Sequence, residues 1–278
     1  MIQLFHKASE NCSRVITENY STSFSSAIRL LHKDLRAPIH NIYGFVRFAD
    51  EIVDTFHEYD KTFLLQQFKE ATYDALHRGI SLNPILNSFQ KTVHEYDIDW
   101  KLVDDFFQSM ELDISKKIYD QKEYADYIYG SAETVGLMCL YIFCEGNRDL
   151  YEQLAVPASA LGAAFQKVNF LRDIKADYNG LSRTYFPGCD FSDFTERKKK
   201  EIEEDIHHDF DMAYQGILKL PAKARFGVYV AYKYYFSLFK KIKKTKPARV
   251  LLERIRIPNY LKVLIILRAG VKNQLRLI

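Results

Sequence analysis

Apolar side chains recur along this chain at steps of three and four residues, the period of an α-helix with one buried face. Ile42, Phe45, Val46, Ala49 and Val53 fall on such a stripe, in a helix with Pro38 near its start. Leu, Ile, Lys, Glu, Phe and Tyr fill the other long stretches at the same spacing. Breakers are scarce, with 11 Gly and 7 Pro, and Asn83-Pro84 and the Asn179-Gly180 region punctuate later helices. The pattern predicts an all-α fold of about ten helices of ordinary length. No Pro/Gly/Ser-rich linker or shift in composition divides the 278 residues, so a single domain over residues 1–278 is expected, and 47% hydrophobic side chains suffice for a substantial core.

Composition narrows the function classes. A net charge of +3 on 27% charged residues is close to balance, which argues against a nucleic-acid binder that draws its affinity from a strongly basic surface. Cys12, Cys139, Cys144 and Cys189 have neither the paired spacing of a zinc site nor the density of a disulfide scaffold, so a reduced, cytoplasmic compartment is expected. His6, Lys7, Glu10 and Arg14 interrupt the first residues, so a secretory signal is not expected. The late run YLKVLIILRAGV is about half the ~20 residues a spanning helix needs, and it contains Lys262 and Arg268. Such a run suits a membrane surface rather than a crossing. No P-loop or dinucleotide-binding glycine pattern is present, so nucleotide and nicotinamide cofactors are not expected.

Two echoed segments carry the candidate chemistry. RFADEIVD (47–54) places Asp50 and Asp54 four apart beside Arg47, and NFLRDIKAD (169–177) places Asp173 and Asp177 four apart beside Arg172. Residues i and i+4 share one helix face, about 5–6 Å apart, so each segment points two carboxylates the same way. Hard cations such as Mg²⁺ bind through one or two carboxylates together with substrate phosphates. Two such helices facing each other across a cavity would hold metal over a diphosphate, with Arg47 and Arg172 on its oxygens. Departure of a diphosphate is the chemistry implied. An aspartate pair beside an arginine is more often a solvated helix face worth little energy. Here Ile52, Val53, Phe170, Leu171 and Ile174 flank both pairs, and buried carboxylates without cationic partners are too costly to keep.

The same residues carry a family resemblance. YSTSF (20–24), RFADEIVD, YIYGSAETVG (127–136), QKVNFLRDIKAD (166–177) and SRTYFP (182–187) resemble the phytoene/squalene synthase family, and RIRIPNYLKVLIILRA resembles the end of phytoene synthases. The resemblance implies an isoprenoid-synthase helical bundle around a central cavity, in which Mg²⁺, or Mn²⁺, assists two prenyl diphosphates that join head to head. It assigns Asp50, Asp54, Asp173 and Asp177 to the metal and places Ser21, Ser23, Phe24, Arg47, Gln166, Asn169, Arg172 and Tyr185 at the diphosphate and reaction site. Tyr127 matches a tyrosine beside the developing cation, and Tyr43 and Tyr234 fall at pocket positions. Glu51 stands where many relatives have another aspartate. Ile128, Ser131 and Glu133 replace the usual cysteine, valine and glycine, and the spacing between Asp177 and Tyr185 is one residue longer, which shifts Arg183.

The reaction so implied joins two geranylgeranyl diphosphates through a cyclopropylcarbinyl diphosphate to phytoene, in carotenoid biosynthesis. A farnesyl diphosphate-using dehydrosqualene or squalene synthase is the alternative, as is a non-catalytic assembly protein on the same fold. Peripheral contact with the inner face of a membrane is a further expectation. KKIKKTK (240–246) and the late run with Lys262, Arg268 and Lys272 suit an anionic lipid surface. The competing reading packs Leu264, Ile265 and Leu267 inward as a cap on the core, the commoner fate of a late apolar helix.

Overall fold

The computed structural model describes residues 1–116, 118–181, 185–188 and 194–275, without the side chains of 176–181. Among these residues there is no β-strand, and the regular structure is thirteen α-helices with one π-helical turn. In chain order they are α1 (Ile2–Tyr20), α2 (Thr22–Ile28), α3 (Lys33–Asp54), α4 (Lys61–Arg78), α5 (Pro84–Glu95), α6 (Trp100–Ser115) and α7 (Gln121–Ile128). The π turn (Tyr129–Glu133) follows, then α8 (Thr134–Cys144), α9 (Arg148–Leu181), α10 (Glu196–Ile217), α11 (Ala222–Lys243), α12 (Pro247–Val250) and α13 (Asn259–Gln274). The count exceeds the expected ten because α2, α7 and α12, at 7, 8 and 4 residues, are too short to show a periodic stripe.

The ends follow local chemistry. Asp60 accepts from the Phe63 amide and Asn83 from the Ile85 amide, with Pro84 in the first turn of α5. Asp120 and Glu123 cap α7 reciprocally. Gly79, at φ 67°, ends α4 in the left-handed conformation that glycine tolerates best. Asn179-Gly180 falls in the last turn of α9.

Buried side chains form a continuous core from Ile28 to Ala269. Phe45 of α3 stacks on Phe89 of α5 at 3.8 Å and meets the rings of Phe106 and Phe107 of α6. Gln121–Cys144 is long and apolar enough to cross a membrane by length and composition. Met138 and Ile142 of that run are nevertheless fully buried in this core. Close approach of α9 to the π turn sets the shape of the interior. A Cβ on Gly162 would lie 2.5 Å from the Ala132 carbonyl oxygen, and one on Gly136 would lie 2.9 Å from that of Ala158. The π turn changes the helical register between α7 and α8. Tyr127 before it and Ser131, Val135 and Gly136 within and after it all face one cavity.

Candidate active site

The cavity holds about 550 Å³ and is walled by α2, α3, α6, the α7–α8 segment, α9, α10 and α11, with Tyr20 at the end of α1. Its body is apolar, with Ile28, Leu31, Val135, Leu161, Phe165 and Val228 among its lining. Charge is concentrated in Asp50, Asp54, Asp113 and Asp173, interleaved with Arg47, Arg172 and Arg254. The two aspartate segments, more than a hundred residues apart in sequence, therefore share one chamber.

On α3, Arg47 pairs with Glu51 and lies 3.9 Å from Asp50, with its guanidinium 4.5 Å from the centre of the Tyr20 ring. Its Nε is buried without a hydrogen-bond partner, a donor available to an anion. About a third of the Asp50 side chain, 33%, is accessible, and it faces the cavity. Burial pushes its carboxyl up to about 7, and Asp54 and Asp113 push the same way against the pull of Arg47. Beside it Ser21 caps α2 by accepting from the Phe24 amide, and the Phe24 ring stacks on Tyr43 at 5.1 Å. Burial raises the Tyr43 phenol to about 12.

On α9, Asp173 is held from two sides. Arg172 donates to it at 2.5 and 3.1 Å, and Arg254, from the segment after α12, reaches it at 2.7 Å. One turn earlier Asn169 and Gln166 meet at 3.5 Å, and the Asn169 Oδ1 is buried without a partner. Gln166, Asn169 and Arg172 line the cavity. The side chain of Asp177 lies outside the described residues, as does Arg183.

A further carboxylate escaped the sequence reading. Asp113 of α6 is 3% exposed and accepts from three phenols, Tyr119 at 3.0 Å and Tyr127 and Tyr185 at 3.2 Å. The Tyr127 ring stacks on those of Phe170 and Tyr185, and Phe170 lies 3.9 Å from Tyr185. Burial, then Asp113, raises the Tyr127 phenol well above its ordinary value, so it stays protonated. Asp113 continues the apolar stripe of Phe106 and Met110, and an acid on such a stripe is the signal that singled out Asp50. Arg254 was missed as well, and no local pattern marks it.

Two expected pocket residues stand elsewhere. Ser23, on the face of α2 turned from Ser21 and Phe24, is absent from the lining, because a helix cannot point neighbouring residues the same way. Tyr234 is buried in the core with its hydroxyl unpartnered, and the next residue, Tyr235, faces the cavity and stacks on Phe165 at 3.9 Å. Among the described residues no three His, Cys, Asp or Glu side chains converge to hold a metal ion. The donors still suit one. Asp50 and Asp54 offer hard oxygens from one face, and Asp54 and Asp113 add to the burial that raises the Asp50 carboxyl, a cost that a cation would relieve.

Residues 17–260 match the family Squalene/phytoene synthase. The chain belongs to that family. Squalene/phytoene synthases are head-to-head prenyl synthases of isoprenoid biosynthesis that use a divalent metal with diphosphate substrates. The chain is 27% identical to the 4,4'-diapophytoene synthase of Staphylococcus haemolyticus over 68% of its own length and 66% of that protein's. It is 25% identical to the phytoene synthase of Arthrospira platensis over 90% and 89% of the two chains. It spans 61% of phytoene synthase 1 of Arabidopsis thaliana, at 26% identity over 87% of its own length. In fold, a dehydrosqualene synthase bound to a ligand superposes with a TM-score of 0.81 at 19% identity, covering 97% of this chain and 98% of that one. A squalene synthase from Alicyclobacillus acidocaldarius gives 0.75 at 20% identity over 86% and 94%.

Proposed function

We propose that this protein joins two molecules of geranylgeranyl diphosphate head to head, through a cyclopropylcarbinyl diphosphate, to phytoene. The observation that carries the reading is the single cavity in which carboxylates and arginines from α3, α9 and the segment after α12 share space with an apolar body. In the first half, the allylic C–O bond of one substrate breaks and diphosphate leaves with the electron pair. The double bond of the second substrate adds to the cation, and loss of a proton closes the cyclopropane. In the second half the remaining C–O bond breaks, the cation rearranges, and loss of another proton gives the neutral hydrocarbon.

Mg²⁺, seated on Asp50, Asp54, Asp173 and Asp177, would supply positive charge for the leaving diphosphate. The chain's own residues do the rest. Arg47, Arg172 and Arg254 can donate charge-assisted hydrogen bonds to diphosphate oxygens. Ser21, Phe24, Tyr43, Gln166 and Asn169 position the substrates. The apolar body excludes water that would quench the cation. Tyr127, Phe170 and Tyr185 present π faces worth roughly 0.5–2 kcal/mol each to a desolvated cation. Tyr127, held protonated on Asp113, is oriented as a dipole and does not act as a base.

The phytoene synthases among its relatives, one matched over 90% of this chain, favour the twenty-carbon substrate. The diapophytoene synthase and the dehydrosqualene synthase support a second reading, the fifteen-carbon farnesyl diphosphate. Purified protein incubated with each diphosphate, Mg²⁺ and no NADPH, with products identified by mass spectrometry, decides. Phytoene is the expected product, and dehydrosqualene from farnesyl diphosphate alone transfers the reading to the shorter substrate. EDTA should stop the reaction and Mg²⁺ or Mn²⁺ restore it; rescue by zinc alone would contradict an oxygen-ligand site.

A further inference from the structure

We infer that the outer face of α13, together with the basic end of α11 and the segment joining them, docks on an anionic lipid bilayer. The overall charge of +3 hides a strong asymmetry. From Lys240 to the C-terminus the sequence holds twelve Lys and Arg and one acid, Glu253, whereas the preceding 239 residues hold 27 Lys and Arg against 35 Asp and Glu. Between Arg254 and Ile278 there is no acid at all.

The same region exposes apolar side chains in an ordered way. Tyr260, Val263, Leu264, Leu267 and Val271 fall on one stripe of α13, and all are exposed, with Tyr260 at 70% and Leu267 at 62%. The core takes the opposite face of α13, where Ala269 is buried and Ile265 and Ile266 pack inward. The inward-cap expectation therefore holds for Ile265 and fails for Leu264 and Leu267. A helix apolar on both faces has a second partner to meet. At about 1.5 Å per residue α13 presents a face roughly 24 Å long, suited to lying in the plane of a bilayer interface. Arg268 and Lys272 flank the stripe, and exposed Lys243, Lys244, Lys246 and Arg249 stand on the adjoining end of α11 and on α12. Beside them a small cleft gathers Lys241, Arg249, Arg254 and Arg256 with Glu253 around Thr245; Arg249 is paired with Glu253 and Arg254 with Asp173, which leaves a net positive rim.

Charge alone would also suit nucleic acid, and the apolar stripe alone would suit a second copy of the chain. An anionic bilayer takes both at once, the charges at its headgroups and the apolar stripe below them. The surface also adjoins the cavity, since Lys262 donates to Thr22 beside Ser21, and Arg254 of the cleft reaches Asp173. The inference stands on this surface and not on the proposed reaction.

Co-sedimentation of the full chain with vesicles tests it, using phosphatidylcholine alone and an equal mixture of phosphatidylcholine and phosphatidylglycerol. The expected result is pelleting with the anionic vesicles, weakened by salt. Combined Val263→Ser, Leu267→Ser and Val271→Ser should cut that binding at least tenfold. Lys243→Gln, Lys244→Gln, Arg268→Gln and Lys272→Gln should each cut it about fivefold, equivalent to about 1 kcal/mol per charge near such a surface. Circular dichroism checks the fold, and Leu267→Ser alone serves if the triple variant does not fold. Equal pelleting with neutral vesicles, none with either, or unchanged binding of the serine variants overturns the inference. So does a dimer in solution that the serine substitutions dissolve, or retention on single-stranded nucleic acid that they leave intact.

Discussion

The two aspartate helices carry the same D-x-x-x-D spacing in opposite electrostatic settings. On α3, Asp50 shares the cavity with Asp54 and Asp113, and the neighbouring cation, Arg47, is also engaged by Glu51. Burial first, and then Asp54 and Asp113, raise the Asp50 carboxyl to about 7. On α9, Asp173 is gripped by Arg172 and by Arg254, a residue eighty-one positions away. Among the described residues, carboxylates outnumber cations at the first end of the chamber and arginines outnumber carboxylates at the second. In the metal-free protein the motif spacing thus places carboxylates, whereas the neighbours decide how far arginines already neutralise them.

The largest effect expected of this comparison is on turnover. Asp50→Ala and Asp173→Ala should each lower it by about a thousandfold or more, with helical circular dichroism retained, because a lost ligand removes leaving-group stabilisation and leaves the fold intact. In the metal-free protein the two should separate. Removing Asp50 relieves repulsion and raises the melting temperature, whereas removing Asp173 leaves Arg172 and Arg254 facing each other and lowers stability by about 1 kcal/mol. Full activity in either variant would remove the metal role, and equal stability shifts would remove the contrast.

Arg254→Gln should come next, with kcat/KM down about ten- to a hundredfold, since it takes one of two guanidinium groups from the second end of the chamber. An unchanged kcat/KM would make Arg254 a surface ion pair only.

A smaller effect lies in pH. The Asp50 carboxyl is raised in the folded protein, so folding is favoured when it is protonated. That contribution is complete below the ordinary carboxylate range, near 3.8, and is lost as pH rises through about 7. Metal-free wild type should therefore lose roughly 1–2 kcal/mol relative to Asp50→Asn between pH 4 and 8, a figure discounted for partial exposure to the cavity. Mg²⁺ should restore the difference at pH 8. Parallel stability curves for the two proteins would place Asp50 in a neutral setting.

Local order made much of this legible. Helical period, caps and the paired aspartates are properties of neighbours in sequence, and the stripe through Ile42, Phe45, Ala49 and Val53 is the buried face of α3. Arg254 reaches Asp173 only because the segment after α12 folds back over α9, which no local pattern encodes. Asp113 was legible in principle, since it extends the apolar stripe of α6, but its phenol partners come from three separate places in the chain. The family resemblance puts Tyr234 at the pocket, whereas the phase of α11 turns Tyr235 to the cavity, and that one residue of difference sends a side chain to another surface.

That pair gives the smallest and most discriminating prediction. Tyr234 is 4% exposed and its hydroxyl has no hydrogen-bond partner, so the fold bears the cost of desolvating it without return. Tyr234→Phe removes that oxygen, preserves the ring, and should raise stability by about 1 kcal/mol, read from the denaturant midpoint at constant slope. Turnover should stay within about twofold, because the ring packs in the core and not on the substrate. Tyr235, by contrast, lines the cavity against Phe165, so Tyr235→Ala opens the apolar wall and should change the preference between fifteen- and twenty-carbon diphosphates. A loss of activity in Tyr234→Phe as large as that in the arginine variant would mean that the Tyr234 hydroxyl reaches the substrate, and would return the cavity to the arrangement that sequence alone suggested.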